Sequence, residues 1–139
     1  MERLRRSDAL EAEIRASLER NGFESAIVER VVAYLRERRL INDIKTIDNL
    51  VVTKTGKRAA GIEKLRSELV RRGAPEELIE ERLAQVSADS QAEGMRSVLA
   101  ARFTRTDPRV KGARLLLSRG FSEDEIGGAL DEFFGREEF

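Results

Sequence analysis

The stretch that decides the fold, Ile62–Leu83, reads Ile-Glu-Lys-Leu-Arg-Ser-Glu-Leu-Val-Arg-Arg-Gly-Ala-Pro-Glu-Glu-Leu-Ile-Glu-Glu-Arg-Leu. Leu65 and Leu69 precede Gly73 by eight and four residues, so they share one face of a helix. Glycine readily adopts the left-handed backbone conformation that ends many helices. Beyond the glycine, Ile79 is followed four residues later by another apolar residue. The stretch therefore predicts a helix, a tight turn at Gly73 and a second helix.

The same pattern occurs three times along the chain, around glycines that are 51 and then 47 residues apart. Apolar residues match four residues before each glycine, and again six, ten and thirteen residues after it. The matched sets are Gly22, Gly73 and Gly120; Leu18, Leu69 and Leu116; Val28, Ile79 and Ile126; Val32, Leu83 and Leu130; and Leu35, Val86 and Phe133. A repeated spacing of this kind is typical of arrays of one supersecondary unit.

Two further segments, Asp43–Lys54 and Ala88–Phe103, carry apolar residues at helical spacing, and each precedes a helix pair. The sequence thus predicts an all-α protein of tandem three-helix bundles, elongated or curved. We expect about eight helices, grouped two, three and three, because the first group lacks its leading helix. The predicted divisions are 8–41, 42–87 and 88–135, with an acidic tail at 136–139.

Local signals refine these helices. The stretch Ser122–Glu125 matches a capping box, which predicts the start of the last helix there. Asp107 followed by Pro108 predicts an N-cap and a first helical residue. Four aromatic residues lie at positions that favour the core over base stacking, namely Phe23, Phe103, Phe121 and Phe133.

Composition excludes several classes of protein. The 139 residues contain no Cys, His or Trp, so a Cys/His zinc site, a disulfide framework and a Ser-His-Asp triad are all impossible. The chain has no run near the roughly 18 apolar residues that a membrane span needs. We therefore expect a cytoplasmic protein that contacts no membrane, is not an enzyme and carries no cofactor or metal.

The formal net charge is zero, with 26 basic and 26 acidic residues, but the charges are segregated. Residues 54–72 carry a net charge of +5, and residues 76–89 carry −4. The last repeat has the same order, with +5 over 102–119 and −6 over 122–139. In both repeats a basic helix is therefore followed by an acidic one.

Two interpretations of this segregation remain open. Basic and acidic helices can pair with each other, and exposed pairs of that kind contribute about 0–1 kcal/mol each. Alternatively, the basic helices of successive repeats line one face and attract a polyanion or an acidic protein groove. In the second interpretation the candidate binding residues are Lys57, Arg58, Arg66, Arg71, Arg72, Arg102, Arg105, Lys111, Arg114 and Arg119.

Two alternative functions also follow from the residues. The spacing around each glycine resembles a helix-turn-helix, which suggests a DNA-binding transcriptional regulator. The second helices of two copies are acidic, however, which disfavours sequence-specific reading of duplex DNA. A third hypothesis is an enzyme that uses carboxylates and a divalent metal, although no group of residues combines a nucleophile, a base and an anion hole.

The middle copy, Ile62–Leu83, resembles the RecX family of bacterial regulators of the RecA recombinase, as does the last copy from Lys111 to Ile126. The stretch Ala92–Phe103, which ends Ala-Ala-Arg-Phe, fits the family's intervening helix. The resemblance covers roughly residues 8–134. The family usually carries Asp-Asp-x-Arg-Phe-Ala at the start of its middle repeat, whereas this chain has Asn-Asp-Ile-Lys-Thr-Ile at 42–47.

The resemblance implies a curved row of three-helix units that lies in the groove of the RecA–single-stranded-DNA filament. Such a protein restrains recombinase and ATPase activity in DNA repair, recombination and the SOS response, and has no catalytic residues. It further implies RecA and single-stranded DNA as partners, with non-specific DNA contact. The candidate cations listed above would then form the filament-binding surface of a monomeric, non-enzymatic protein.

Overall fold

A computed structural model describes residues 9–136 of the chain, and every regular element in that range is helical. The α-helices are α1 Glu11–Arg20, α2 Ser25–Glu37, α3 Asp43–Thr53, α4 Ile62–Arg72, α5 Glu76–Leu83, α6 Ala88–Arg102, α7 Arg109–Ser118 and α8 Glu123–Phe134. A short 3₁₀ helix at Gly56–Arg58 follows α3. The expectation of an all-α protein with about eight helices is confirmed over the described range.

The helices form two compact units. The first unit runs up to Leu50 and also contains Glu68–Arg82, and the second contains Val51–Ser67 and the chain from Leu83 onward. Helix α4 contributes residues to both units. The predicted division into three repeats follows the sequence pattern instead, and it stays a prediction.

The three glycine turns share one hydrogen-bonding pattern. Gly22, Gly73 and Gly120 have φ angles of 85°, 89° and 90°, the left-handed conformation that the sequence predicts. At the last turn, the Gly120 amide donates to the Leu117 carbonyl and the Phe121 amide donates to the Leu116 carbonyl, at 3.0 and 3.1 Å. Both bonds recur at the other two turns. This is the Schellman arrangement, which satisfies the last carbonyls of the helix before the turn.

The first unit buries an apolar cluster between α1 and α2. Its buried members, on these helices and the segment that follows, are Ile14, Val28, Val32, Leu35 and Ile41. The start of α1 is capped from a distance, because the Glu11 amide donates to Oδ1 of Asp43 at 2.9 Å. A side chain at the start of α3 thus satisfies an amide that α1 itself leaves without an acceptor.

The second unit is organised by a crossing of two glycine backbones. The Gly61 amide donates to the Arg119 carbonyl at 2.7 Å, and a Cβ added at Gly61 would overlap the Gly120 carbonyl. A Cβ at Gly120 would in turn overlap the backbone of Lys64. Only glycine allows an approach this close. The buried core beside it contains Ala59, Met95, Val98, Leu99, Leu116, Phe121, Ile126, Ala129 and Leu130.

Most local predictions match the structure, and two are wrong. The capping box is confirmed, since the Glu125 amide donates to the Ser122 hydroxyl and the Glu125 side chain accepts from the Ser122 amide. Helix α7 begins one residue later than expected, with Pro108 at the N-cap position. Asp107 instead accepts a hydrogen bond from the Thr104 amide, which holds the preceding loop.

The second wrong prediction concerns Phe23. Phe121 is 2% exposed and Phe103 and Phe133 pack against the same core, as expected. Phe23 occupies the position of Phe121 in the first repeat, yet it is 48% exposed. Phe121 is buried beside Ala59 and α6, and no equivalent of these elements covers Phe23 among the described residues.

We expect the variant Gly120→Ala to destabilise the protein more than Gly22→Ala does. Both residues have left-handed φ angles, which cost an alanine about 1 kcal/mol. Gly22 has nothing within 4 Å of an added Cβ, whereas Gly120 abuts Lys64, and overpacking costs about 1–3 kcal/mol more. Urea denaturation followed by circular dichroism measures both variants. Equal losses would contradict the importance of the crossing.

Candidate functional site

Four cations of the second unit lie on segments that meet at the glycine crossing, and we call them the junction cluster: Lys57, Arg58, Lys64 and Arg119. The Arg119 guanidinium donates to the Lys57 carbonyl at 3.1 Å and to the Ala59 carbonyl at 3.3 Å. These bonds bring the 3₁₀ helix against the end of α7. Lys64 lies at the same place because its backbone contacts Gly120. The basic segments of the middle and last repeats therefore meet here.

The fold explains why the junction cluster stays available to a partner. Lys57, Arg58 and Lys64 are exposed, and within residues 9–136 none of them has an ion-pair partner. The Arg119 guanidinium donates to backbone carbonyls, and it forms no ion pair with a carboxylate of residues 9–136. Lys64 was missing from the candidate residues. Its membership in the +5 segment is the only sequence signal that could have included it.

A second exposed surface, the α7 face, carries Val110, Lys111, Arg114 and Leu117. The opposite side of α7 buries Gly112 and Leu116 against the core. Lys111 and Arg114 are exposed and lie three residues apart, so they are neighbours on the outer side of the helix. In the described part of the chain, neither cation pairs with a carboxylate. Val110 and Leu117 are exposed as well, at 54% and 43%.

The remaining second-unit candidates differ in their availability. Arg102 ends α6, is exposed and has no ion-pair partner in the range that the structure describes. Arg105 is exposed, but its Nε donates to the Phe133 carbonyl at 3.3 Å. Arg66 forms an ion pair with Glu63 at 2.6 Å, one turn before it on α4. Of these three cations, Arg102 is therefore the best placed to meet an external anion.

In the first unit, two adjacent candidates have opposite surroundings. Arg71 is exposed and unpaired as far as the described chain extends. The side chain of Arg72 is only 23% exposed, and its Nε and Nη2 donate to the two carboxylate oxygens of Glu13 at 3.1 and 2.8 Å. Arg72 thus ties α4 to α1, and its role in the first unit is structural.

This contact also shifts the titration of Glu13. Burial acts to raise the pKa of Glu13, but the hydrogen bonds from Arg72 and from the Leu10 amide outweigh burial, so the pKa lies below its usual 4.5. The pKa of Glu11 is lowered in the same direction, chiefly by its hydrogen bond with Arg36. Both carboxylates therefore favour the folded state most when they are ionised.

Two carboxylates of the acidic helix α8 pair with cations outside the candidate set, whereas on α5 it is a cation that pairs with another helix. On α8, Asp131 pairs with Arg109 at 2.8 Å and Glu132 with Arg96 at 3.5 Å. In the first unit, Arg82 of α5 forms a two-point contact with Asp48 of α3, at 2.9 and 2.7 Å. Pairing between oppositely charged helices thus occurs, and it leaves Lys111 and Arg114 exposed.

Residues 9–136 contain neither a metal-binding group of acidic side chains nor a membrane-spanning helix. No group of three or more acidic side chains in that range is arranged to hold a metal ion. No helix in the same range is long and apolar enough to cross a membrane.

Comparison with known proteins gives three close parallels along most of the chain. Proteins described as "Regulatory protein RecX" from Prosthecochloris aestuarii and Chlorobium phaeobacteroides are 33% and 31% identical, over 86% and 88% of this chain. The chain covers 81% and 82% of their lengths. A protein of the same description from Clostridium acetobutylicum is 31% identical over 89% of this chain, which spans 62% of that longer relative.

Two other comparisons gave no result. No family model matches the sequence. No solved structure matches it either.

We expect Arg72→Gln to lower the free energy of unfolding by up to about 1 kcal/mol at pH 7, because it breaks the contact with Glu13. The stabilisation by Glu13 is complete above pH 4.5 and is lost as the pH falls through its depressed pKa. The difference from wild type should therefore shrink at pH 3, as measured by urea denaturation. Arg71→Gln is the matched control and should change little at either pH. A loss at pH 3 as large as at pH 7 would contradict this role of Arg72.

Proposed function

The chain belongs to the RecX family, and from that premise we propose that it is a non-enzymatic, cytoplasmic regulator that binds the RecA–single-stranded-DNA filament. Binding restrains the recombinase and ATPase activities of RecA in DNA repair and recombination. The observation that supports the proposal is the set of exposed cations of the second unit, in the junction cluster and on the α7 face, that form no ion pair within residues 9–136. The absence of Cys and His from the whole sequence agrees with a protein that acts by binding.

The charge pattern supports a polyanionic target. Lys57, Arg58, Lys64, Lys111 and Arg114 are exposed within one compact unit, and carboxylates of the described chain do not neutralise them. Clustered cations of this kind raise the rate of encounter with an anionic partner. A filament that contains single-stranded DNA presents phosphates at regular intervals, which suits a contact that reads charge and spacing instead of base identity.

The same pattern disfavours insertion of a helix into duplex DNA. In a helix-turn-helix protein the second helix enters the major groove with its first turn near the bases. Here the corresponding helices α5 and α8 begin with two and three acidic residues. These carboxylates would face phosphates and oppose binding. The contact that we propose uses α7 and the junction cluster instead.

The test is RecA ATPase activity on single-stranded DNA, titrated with this protein at several salt concentrations. We expect inhibition that weakens as salt rises, because the Debye length shrinks from about 10 Å at 0.1 M to about 3 Å at 1 M. The double variant Lys111→Glu with Arg114→Glu should raise the half-inhibitory concentration about tenfold or more. Tenfold corresponds to about 1.4 kcal/mol of binding free energy.

The matched control is Arg30→Glu with Lys45→Glu, which changes the net charge equally at two exposed cations of the first unit. It should inhibit nearly as well as the wild type, and circular dichroism should show unchanged helicity for both variants. Equal weakening by both would remove the α7 face from the site. Failure of the wild-type chain to inhibit would refute the proposed function, and steep preference for one duplex sequence would favour the helix-turn-helix alternative.

A further inference from the structure

Each later glycine turn packs against the first turn of a helix in the preceding repeat. A Cβ added at Gly73 would lie 2.8 Å from Cβ of Ala12, the second residue of α1. At the next junction Gly120 abuts Lys64, the third residue of α4. The arginine before each glycine also contacts the preceding repeat. Arg72 forms an ion pair with Glu13, and the Arg119 guanidinium donates to the carbonyls of Lys57 and Ala59. At both junctions a turn glycine thus lies on the first turn of a helix in the preceding repeat, with the contacted position shifted by one residue between them.

A second contact recurs at equivalent positions. The amide eleven residues before the turn glycine donates a hydrogen bond to a side chain on the leading helix of the following repeat. In the first unit the Glu11 amide donates to Asp43 at 2.9 Å, and in the second the Ile62 amide donates to Oε1 of Gln91 at 3.2 Å. Two independent contacts therefore define the same interface between neighbouring repeats.

This mode of docking leaves one turn and one helix start unmatched. Gly22, the turn glycine of the first repeat, has nothing within 4 Å of an added Cβ, and Phe23 beside it is 48% exposed. At the other end, Val110 and Lys111 occupy in α7 the positions that Ala12 and Glu13 occupy in α1. Val110 is 54% exposed and Lys111 is exposed. Among residues 9–136, neither surface has the partner that its equivalent has.

We propose that a second copy of this chain supplies that partner: the turn at residues 21–23 of one copy docks on the first turn of α7 of the next. The turn at residues 21–23 is equivalent to the turns at Gly73 and Gly120, which pack on helix starts. The first turn of α7 is equivalent to the helix starts on which those turns pack. The side chain before the glycine supports the pairing. Arg72 faces Glu13, whereas Asn21 would face Lys111, and an arginine at that position would be repelled. The Asn21 amide nitrogen bonds the Ser17 carbonyl at 2.8 Å, and its oxygen is left to accept from the lysine ammonium.

The contact joins two different surfaces, so it is heterologous. A heterologous contact closes into a ring only at particular rotations and otherwise adds copies in a line. In this assembly the start of α7 lies beside Phe23, whose ring is 48% exposed in the single chain. The interface is built from residues of this chain alone, and it covers Lys111, so a docked copy and a bound filament compete for the α7 face.

The test uses cysteine cross-linking of the free protein, because the chain contains no cysteine and every disulfide must come from introduced residues. The single variants Asn21→Cys and Lys111→Cys are mixed at high concentration under a mild oxidant, with one variant carrying a mass tag. A disulfide forms readily only when the two Cα atoms come within about 7 Å. We expect the mixed dimer to exceed either homodimer several-fold. A chain with both substitutions should give a ladder of multimers.

Two controls separate this interface from random collision. Asn21→Cys mixed with Glu37→Cys, an exposed position at the end of α2, should give only the background yield. Adding Phe23→Ser should lower the specific yield, whereas Tyr34→Ser, which removes another exposed aromatic ring, should not. Equal yields with Lys111→Cys and Glu37→Cys would overturn the proposal. So would a dominant dimer that joins residue 21 to residue 21.

Discussion

The approach of two backbones at Gly61 and Gly120 is the constraint on which the second unit depends. The Gly61 amide reaches the Arg119 carbonyl at 2.7 Å, and no side chain fits on either glycine. Since backbone fills this contact, it holds neighbouring repeats together without a large apolar area, in a chain with 37% charged and only 5% aromatic residues. The same crossing gathers Lys57, Arg58, Lys64 and Arg119, so the element that holds the fold also assembles the charge.

The cations fall into two groups: some form ion pairs between helices, and others are exposed without such a pair in the described chain. Arg72, Arg82, Arg96 and Arg109 each hold a carboxylate on another helix, at 2.7 to 3.5 Å. These pairs neutralise acids of α1, α3 and α8 that would otherwise repel an anionic partner. The lysines at 57, 64 and 111 are exposed and bind no carboxylate of the described chain. A chain with zero net charge can therefore present a local positive surface, because several of its carboxylates pair with other cations.

The sequence predicts the helices well because a glycine and the apolar residues around it mark each turn locally. Gly22, Gly73 and Gly120 all take the left-handed conformation, and the apolar residues around them are mostly buried. No local sequence pattern shows which repeat packs against which. Phe23 and Phe121 stand at the same place in the repeat, yet one is exposed and the other buried, since among the described residues only Phe121 is covered by Ala59 and α6. The candidate cations differ for the same reason, as Arg71 and Arg72 are adjacent in sequence but only Arg72 meets Glu13.

The cap that Asp43 places on α1 bears on how this chain can be divided into modules. The carboxylate lies 32 residues from the amide that it caps, beyond the end of the first repeat as the sequence defines it. A fragment cut at residue 41 would keep every apolar side chain of its core but lose the acceptor at the start of its first helix. Exchanging the repeats as whole cassettes would therefore remove this cap unless the new neighbour also placed an acceptor there.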